Sequence, residues 1–209
     1  TSIYDSNGPA LIAQALQAGA EVRTFGIVPD DPKRLAMVLG EALEASDVVL
    51  VSGGVSMGDF DYVPRTLESL GVKRVFHKIA MKPGKPTFFG RRGSKAVFGM
   101  PGNPVSTFVN FECLVKPLLY KRMGLDYVPR YVVARLVTPL SRSECDRVEY
   151  FPMCLSREPG RECEAALPLN YHGSSMLNIL GLADCLVRME IGVNRFKEGE
   201  HVAARLIRP

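Results

Sequence analysis

Residues 47–62 read Asp47-Val48-Val49-Leu50-Val51 followed by SGGVSMGDFDY (Ser52–Tyr62), and the reading of this stretch decides the fold. A short unbroken apolar run is the pattern of a strand covered on both faces. Its glycines come directly after the run and before a helical pattern. At a strand's carboxyl end, glycines let a ligand approach the backbone closely, and a helix N-terminus favours an anion. Taken alone, the loop fits a ligand-free glycine turn equally well. It has neither the Gly-Lys-Ser/Thr ending of a Walker A motif nor a GxGxxG pattern, which disfavours P-loop ATP hydrolysis.

Working outward, helical spacing covers 9–18 and 33–45, the latter opened by Asp30-Asp31-Pro32. Residues 21–28 read as a strand, 63–70 as a helix, and 74–79, 87–89 and 96–98 as strands, with a long helix from Pro104 to Met123. Alternation of strands and helices predicts an α/β domain over residues 1–124, a parallel-sheet sandwich with helices on both faces. After Gly124 the texture changes. Short strand patterns at 131–137, 148–154, 164–169, 184–189 and 201–207 are separated by turn formers and predict a small all-β, barrel-like domain over 130–209.

Of the 209 residues, 46% are hydrophobic and 23% charged, an ordinary globular composition. No apolar run is long enough to span a bilayer, and TSIYDSNGPA shows no signal-peptide pattern, so a cytoplasmic protein without a membrane partner is expected. The net charge of +4 is too small, and the basic residues too scattered, to argue for nucleic acid. Small anionic ligands suit it better. Five cysteines form no CxxC pair and read as reduced thiols, and three dispersed histidines make a zinc site improbable.

Two further loops carry chemistry. Lys82-Pro83-Gly84-Lys85-Pro86 holds two ammonium groups in a proline-stiffened turn, with His77 and Lys78 close in sequence, and such a pair suits an oxyanion or polyphosphate. In Pro101-Gly102-Asn103-Pro104-Val105-Ser106, Asn103 fits a helix N-cap and Pro104 the first helical position. With Ser52, Gly53, Gly54 and Ser56, these loops predict a composite phosphate-binding cleft. Asp30, Asp31, Asp59 and Asp61 offer carboxylates beside it, and Mg²⁺ typically takes one or two carboxylates plus substrate oxygens. An aspartate ahead of Pro32 also simply starts a helix, and spacing alone does not choose.

IYDSN, GIVPDDP, SGGVSMGDFDYV, MKPGKP and GMPGNPVS occur here in the order seen in the MoeA family, which includes the gephyrin E-domain, and the chain resembles the carboxy-terminal portion of that family. The resemblance implies a molybdopterin molybdenumtransferase, inserting molybdate into adenylylated molybdopterin with Mg²⁺ and release of AMP. It implies catalytic roles for Asp30, Asp61, Lys78 and Lys82, with Asp30 and Asp61 as metal ligands. It implies molybdate binding by Lys82, Lys85, Pro86 and Ser174. Substrate binding falls to Ser52, Gly53, Gly54, Ser56, Asp61, Pro101, Gly102, Asn103 and Ser106. A homodimer is also implied.

Two departures stand out. Pro152 occupies the place where the family pattern has an arginine, so the oxyanion pocket is one charge poorer or is completed by Arg147 or Arg157. The family's first strand and acidic loop, and its preceding domains, have no counterpart here; the expectation is a piece of a longer protein, or one paired with a piece that supplies the strand. Alternatives within the resemblance are a molybdopterin adenylyltransferase, disfavoured by KPGKP and the β tail, and a non-catalytic molybdopterin-binding or scaffold module.

Overall fold

The computed structural model describes residues 4–55, 62–157 and 164–208. The chain divides into two compact units, one of Thr1–Ile79 and Gly84–Asp126, the other of Ala80–Pro83 and Tyr127–Pro209.

In the first unit, α1 (Asn7–Gln17) and α2 (Pro32–Ala45) lead to β1 (Val48–Ser52). Then come α3 (Tyr62–Ser69) and β2 (Lys73–His77); β3 (Met81–Lys82) belongs to the second unit, and β4 (Phe88–Arg92) and β5 (Lys95–Met100) to the first. The expected long helix is α4 (Pro104–Asn110), a π-helical turn (Phe111–Val115) and α5 (Lys116–Arg122). Asp31 caps α2 by accepting the Arg34 N–H at 2.8 Å, with Pro32 in the first turn. The helix then buries Leu35, Leu39, Ala42 and Leu43, a single stripe at helical spacing.

The apolar run of β1 serves two cores. Val49 packs with Leu43, Val63, Leu67, Phe88 and Val97 from α2, α3, β4 and β5. Val48 and Leu50 pack on the other face with Leu11, Ala15, Phe98, Met100 and Phe111. Successive side chains of a strand point to opposite faces, so helices cover this sheet on both sides.

The strand order is β1-β5-β4-β2. β1 and β5 run parallel, in register from Val48↔Ala96 to Ser52↔Met100. The other two pairings are antiparallel, so the sheet is mixed where a parallel one is expected from the alternation of elements. The cause is local: Gly93, at φ +58°, and Ser94 turn β4 directly into β5, and a two-residue turn joins only antiparallel neighbours. Residues 21–28, expected as a strand, make no ladder. Their apolar side chains still contribute, Val22 to one core and Phe25 and Val28 to the other. A strand exists only with a partner, and among the described residues β1 pairs with β5 alone.

The second unit is a closed barrel of β6 (Tyr131–Leu136), β8 (Val148–Ser156), β9 (Glu164–Pro168), β10 (Cys185–Met189) and β12 (His201–Leu206). The order β10-β12-β6-β9-β8 returns to β10 through a β10–β8 pairing, with β3 added alongside β8. A ribbon of β7 (Leu140–Ser141) and β11 (Arg195–Phe196) and one short helix, α6 (Asn178–Leu182), complete it. Ala134, Leu136, Met153, Ala166, Cys185, Val187, Val202 and Ala204 fill the interior. Pro152 pairs with Leu186 of β10 and precedes the first β8–β9 pair, Met153↔Pro168, so its missing N–H falls where β9 does not yet reach. Among the described residues four cysteines are free thiols, and no helix is long and apolar enough to cross a membrane. Cys163 lies outside the described residues.

Candidate functional site

Because β1 and β5 are parallel neighbours ending at Ser52 and Met100, the loops after them emerge from the same end of the sheet. The Gly53 N–H donates to the Met100 carbonyl at 3.0 Å, and Gly53 and Gly54 hold φ of +87° and +63°, a region that favours glycine. A Cβ on Gly102 would lie 3.9 Å from the Gly53 Cα, so the two loops touch through backbone. Asn7 joins them. Its buried side-chain amide donates to Ser52 Oγ and to the Gly102 carbonyl, both at 2.7 Å, using both of its N–H groups. His77 holds the glycine loop at Val55, its Nε2 2.8 Å from that carbonyl.

The Pro101 carbonyl receives Ser52 Oγ at 3.4 Å and the Thr107 hydroxyl. Asn103 occupies the α4 N-cap in extended conformation with Pro104 behind it, but its side chain makes no cap hydrogen bond. Gly102 and Asn103 are exposed, whereas Ser106 is buried within α4. The predicted loops after β1 and β5 are therefore one backbone cradle, presenting Gly53, Gly54, Gly102 and Asn103 beside the start of a helix, a setting suited to phosphate oxygens. Ser56 and Asp61 lie outside the described residues, as does Asp59.

The KPGKP segment is divided between the units: Lys82 and Pro83 belong to the second, Gly84, Lys85 and Pro86 to the first. In the first unit, Gly84 sits at φ +116°, and a Cβ there would come 2.2 Å from Asn110 Oδ1. Thr87 Oγ1 donates to the Gly84 carbonyl at 2.6 Å and accepts from Asn110 Nδ2. The Lys85 carbonyl takes the Ile79 and Thr87 N–H groups at 3.0 and 2.9 Å. The Lys85 backbone is thus pinned while its side chain, like that of Lys78, is exposed.

In the second unit, Lys82 Nζ stands 3.0 Å from Oε1 of the buried Glu149. Arg142 faces the other carboxylate oxygen at 3.6 Å. Tyr171 lies close enough that burial, then the Glu149 charge, pushes its hydroxyl up to about 12. Ser174 is half-buried in the turn after β9, where the Met176 N–H donates to the Gly173 carbonyl at 3.2 Å. Arg147, one expected substitute for the missing arginine, is engaged by Glu144 at 2.7 Å and Asp146 at 3.3 Å. Arg157 is exposed beyond the end of β8.

Of the paired aspartates, Asp31 is spent on capping α2, and Asp30 is left exposed. Among the described residues no three metal-ligating side chains come together. A single hard carboxylate completed by substrate oxygens still matches the habit of Mg²⁺. The sequence reading passes over Asn7, Glu149, Arg142, Thr87 and Asn110. Only Asn7 carries a signal, as the last letter of IYDSN, at the start of α1 (Asn7–Gln17).

Residues 1–121 match the family model described as a probable molybdopterin binding domain, and residues 134–207 the MoeA C-terminal region, domain IV. A molybdopterin molybdenumtransferase of Staphylococcus aureus is 32% identical over 203 residues, covering 96% of this chain and 47% of the relative. One of Bacillus subtilis is 30% identical over 206 residues, covering 99% and 47%. The chain thus spans about half the length of these curated relatives. A solved molybdopterin biosynthesis MoeA protein from Pyrococcus horikosii superimposes with a TM-score of 0.83 at 32% identity, covering 100% of this chain and 49% of that one.

Proposed function

This chain belongs to the MoeA family of probable molybdopterin-binding proteins, matching its carboxy-terminal portion, and we propose that it supplies that portion of a molybdopterin molybdenumtransferase. The reaction is insertion of molybdate into adenylylated molybdopterin with release of AMP, carried out in the cytoplasm by a homodimer that includes the amino-terminal domains of the longer relatives. The observation that carries the reading is the cradle at the ends of β1 and β5, locked by the two hydrogen bonds of Asn7.

In this mechanism Ser52, Gly53, Gly54, Ser56, Pro101, Gly102 and Asn103 grip the phosphates and pterin of the substrate through backbone and short polar groups. Ser106, in the first turn of α4, is buried, and its role in substrate binding would be exercised from within the helix start. Lys82, Lys85, Pro86 and Ser174 hold the oxyanion, and Lys78 adds positive charge. Charge already in place where it develops lowers the barrier without reorganisation. Asp30 and Asp61 would hold Mg²⁺, which offsets charge on the departing phosphate.

The test is incubation of the full-length protein with adenylylated molybdopterin, molybdate and Mg²⁺. Molybdate-dependent AMP release is expected. Binding of the substrate without turnover would overturn the enzymatic reading in favour of a non-catalytic binding or scaffold module. One observation favours that second reading: Pro152 stands where the family pattern has an arginine.

A further inference from the structure

Lys82, assigned above to the oxyanion, sits in a charge arrangement of the second unit whose other members that assignment leaves without a role. Lys82 lies on the two-residue strand β3, paired in parallel register with β8 so that Lys82 is opposite Glu149. The two side chains differ sharply in exposure: Lys82 is 45% exposed, Glu149 only 6%. A carboxylate taken out of water is costly unless it is held by opposite charge. Glu149 has that charge on two sides, Lys82 Nζ at 3.0 Å on Oε1 and Arg142 at 3.6 Å from Oε2.

Arg142 is not free to move toward a ligand. Its side chain is 3% exposed, and the guanidinium donates to the carbonyls of Val193 at 2.8 Å, Arg147 at 2.6 Å and Glu190. The carboxylate of Glu149 is therefore flanked by a fixed, buried cation and by a half-exposed one. An ammonium has three N–H donors, and a single contact with Oε1 leaves donors for an incoming anion. A free lysine loses much rotamer entropy when it binds, and a lysine already held in place loses less.

We infer that Glu149, backed by Arg142, is a positioning residue that holds the Lys82 ammonium in place for an oxyanion. The inference rests on the reading of Lys82 as an oxyanion-holding lysine and adds the group that orients it. The carboxylate does not touch the oxyanion; it acts through Lys82.

The experiment is a double-mutant cycle in the full-length protein, with Lys82→Ala, Glu149→Gln and the pair combined. Equilibrium binding of molybdate is measured beside molybdate-dependent AMP release. Glu149→Gln is expected to raise the dissociation constant and KM for molybdate roughly tenfold, as for loss of a charged hydrogen bond, with a smaller change in kcat. In the Lys82→Ala background the same substitution is expected to add nothing, because the two residues act as one unit. Should Glu149→Gln fail to fold, Glu149→Asp gives the same comparison, with a smaller rise that also vanishes in the Lys82→Ala background. Effects that multiply in the double variant would overturn the inference, as would tighter or unchanged molybdate binding in Glu149→Gln. If Lys82→Ala itself leaves molybdate affinity unchanged, the underlying reading of Lys82 falls as well. If Lys82→Ala weakens binding and Glu149→Gln does not, only the positioning role falls.

Discussion

The side-chain nitrogen of Asn7 lies 2.7 Å from Ser52 Oγ, across 45 residues of sequence, and the same nitrogen reaches the Gly102 carbonyl. A residue in the first turn of α1 is thereby the clasp between two loops. Asn7→Ala leaves Gly102 and Ser52 without that donor and is expected to cost about 1–3 kcal/mol in urea unfolding. Asn7→Asp, which removes the N–H groups and adds a negative charge beside the cradle proposed to hold phosphates, should weaken nucleotide binding more than it weakens the fold. Equal nucleotide affinity in Asn7→Asp and the parent protein would count against the cradle.

The two neighbouring aspartates should separate cleanly. Asp31→Ala removes the α2 cap and is expected to lower stability by about 1 kcal/mol without altering the Mg²⁺ dependence of AMP release. Asp30→Asn should do the reverse, leaving the unfolding midpoint in place and shifting the Mg²⁺ titration to higher concentration. An unshifted titration removes Asp30 from the metal assignment.

Gly84→Ala meets two obstacles at once, a φ of +116° and the Asn110 Oδ1 only 2.2 Å from the new Cβ. A loss on the order of 1–3 kcal/mol is expected. Adding Asn110→Ala should not restore the parent stability, because the backbone strain remains and Thr87 loses a donor. Thermal melting of the single and double variants checks this.

Tyr171 is held neutral by burial and by the Glu149 charge, its hydroxyl moved from 10.0 to about 12. The unfolded chain gives up this proton at lower pH than the folded one. The associated stability is therefore present in full below pH 10 and lost as pH rises through about 12. Ultraviolet titration should find one late phenol, absent in Tyr171→Phe. That variant should also show a flatter decline of stability between those pH values.

Cys185 is fully buried in the barrel, its thiol raised to about 12 by desolvation and then by Asp184. Thiolate is the reactive form, so alkylation of Cys185 should require opening of the barrel and should track unfolding of the second unit. Labelling in the native state as fast as that of the half-exposed Cys113 would contradict the burial.

The barrel strands were legible because period-two alternation and turn formers are local signals, and 148–154 and 201–207 fall close to β8 (Val148–Ser156) and β12 (His201–Leu206). The glycine and proline loops were legible for the same reason, since φ demands are written at the residue itself. What escaped depends on distant partners. Residues 21–28 carry apolar groups for both cores, yet a ladder needs a neighbour that composition cannot supply. The two-residue β3 has no periodicity to read. Glu149 looks like any polar position of a strand until Lys82 and Arg142 are placed around it.

The excursion of Ala80–Pro83 into the second unit has a bearing on inheritance and on dissection. A polypeptide beginning at Tyr127 would contain the five barrel strands but not β3, and Glu149 would lose one of the two cations that compensate it. Swapping the barrel between relatives at that junction would bring together a lysine and a carboxylate that had never been selected as a pair. The barrel's natural unit of exchange is therefore discontinuous in the gene: four codons from the middle of the first unit must travel with it.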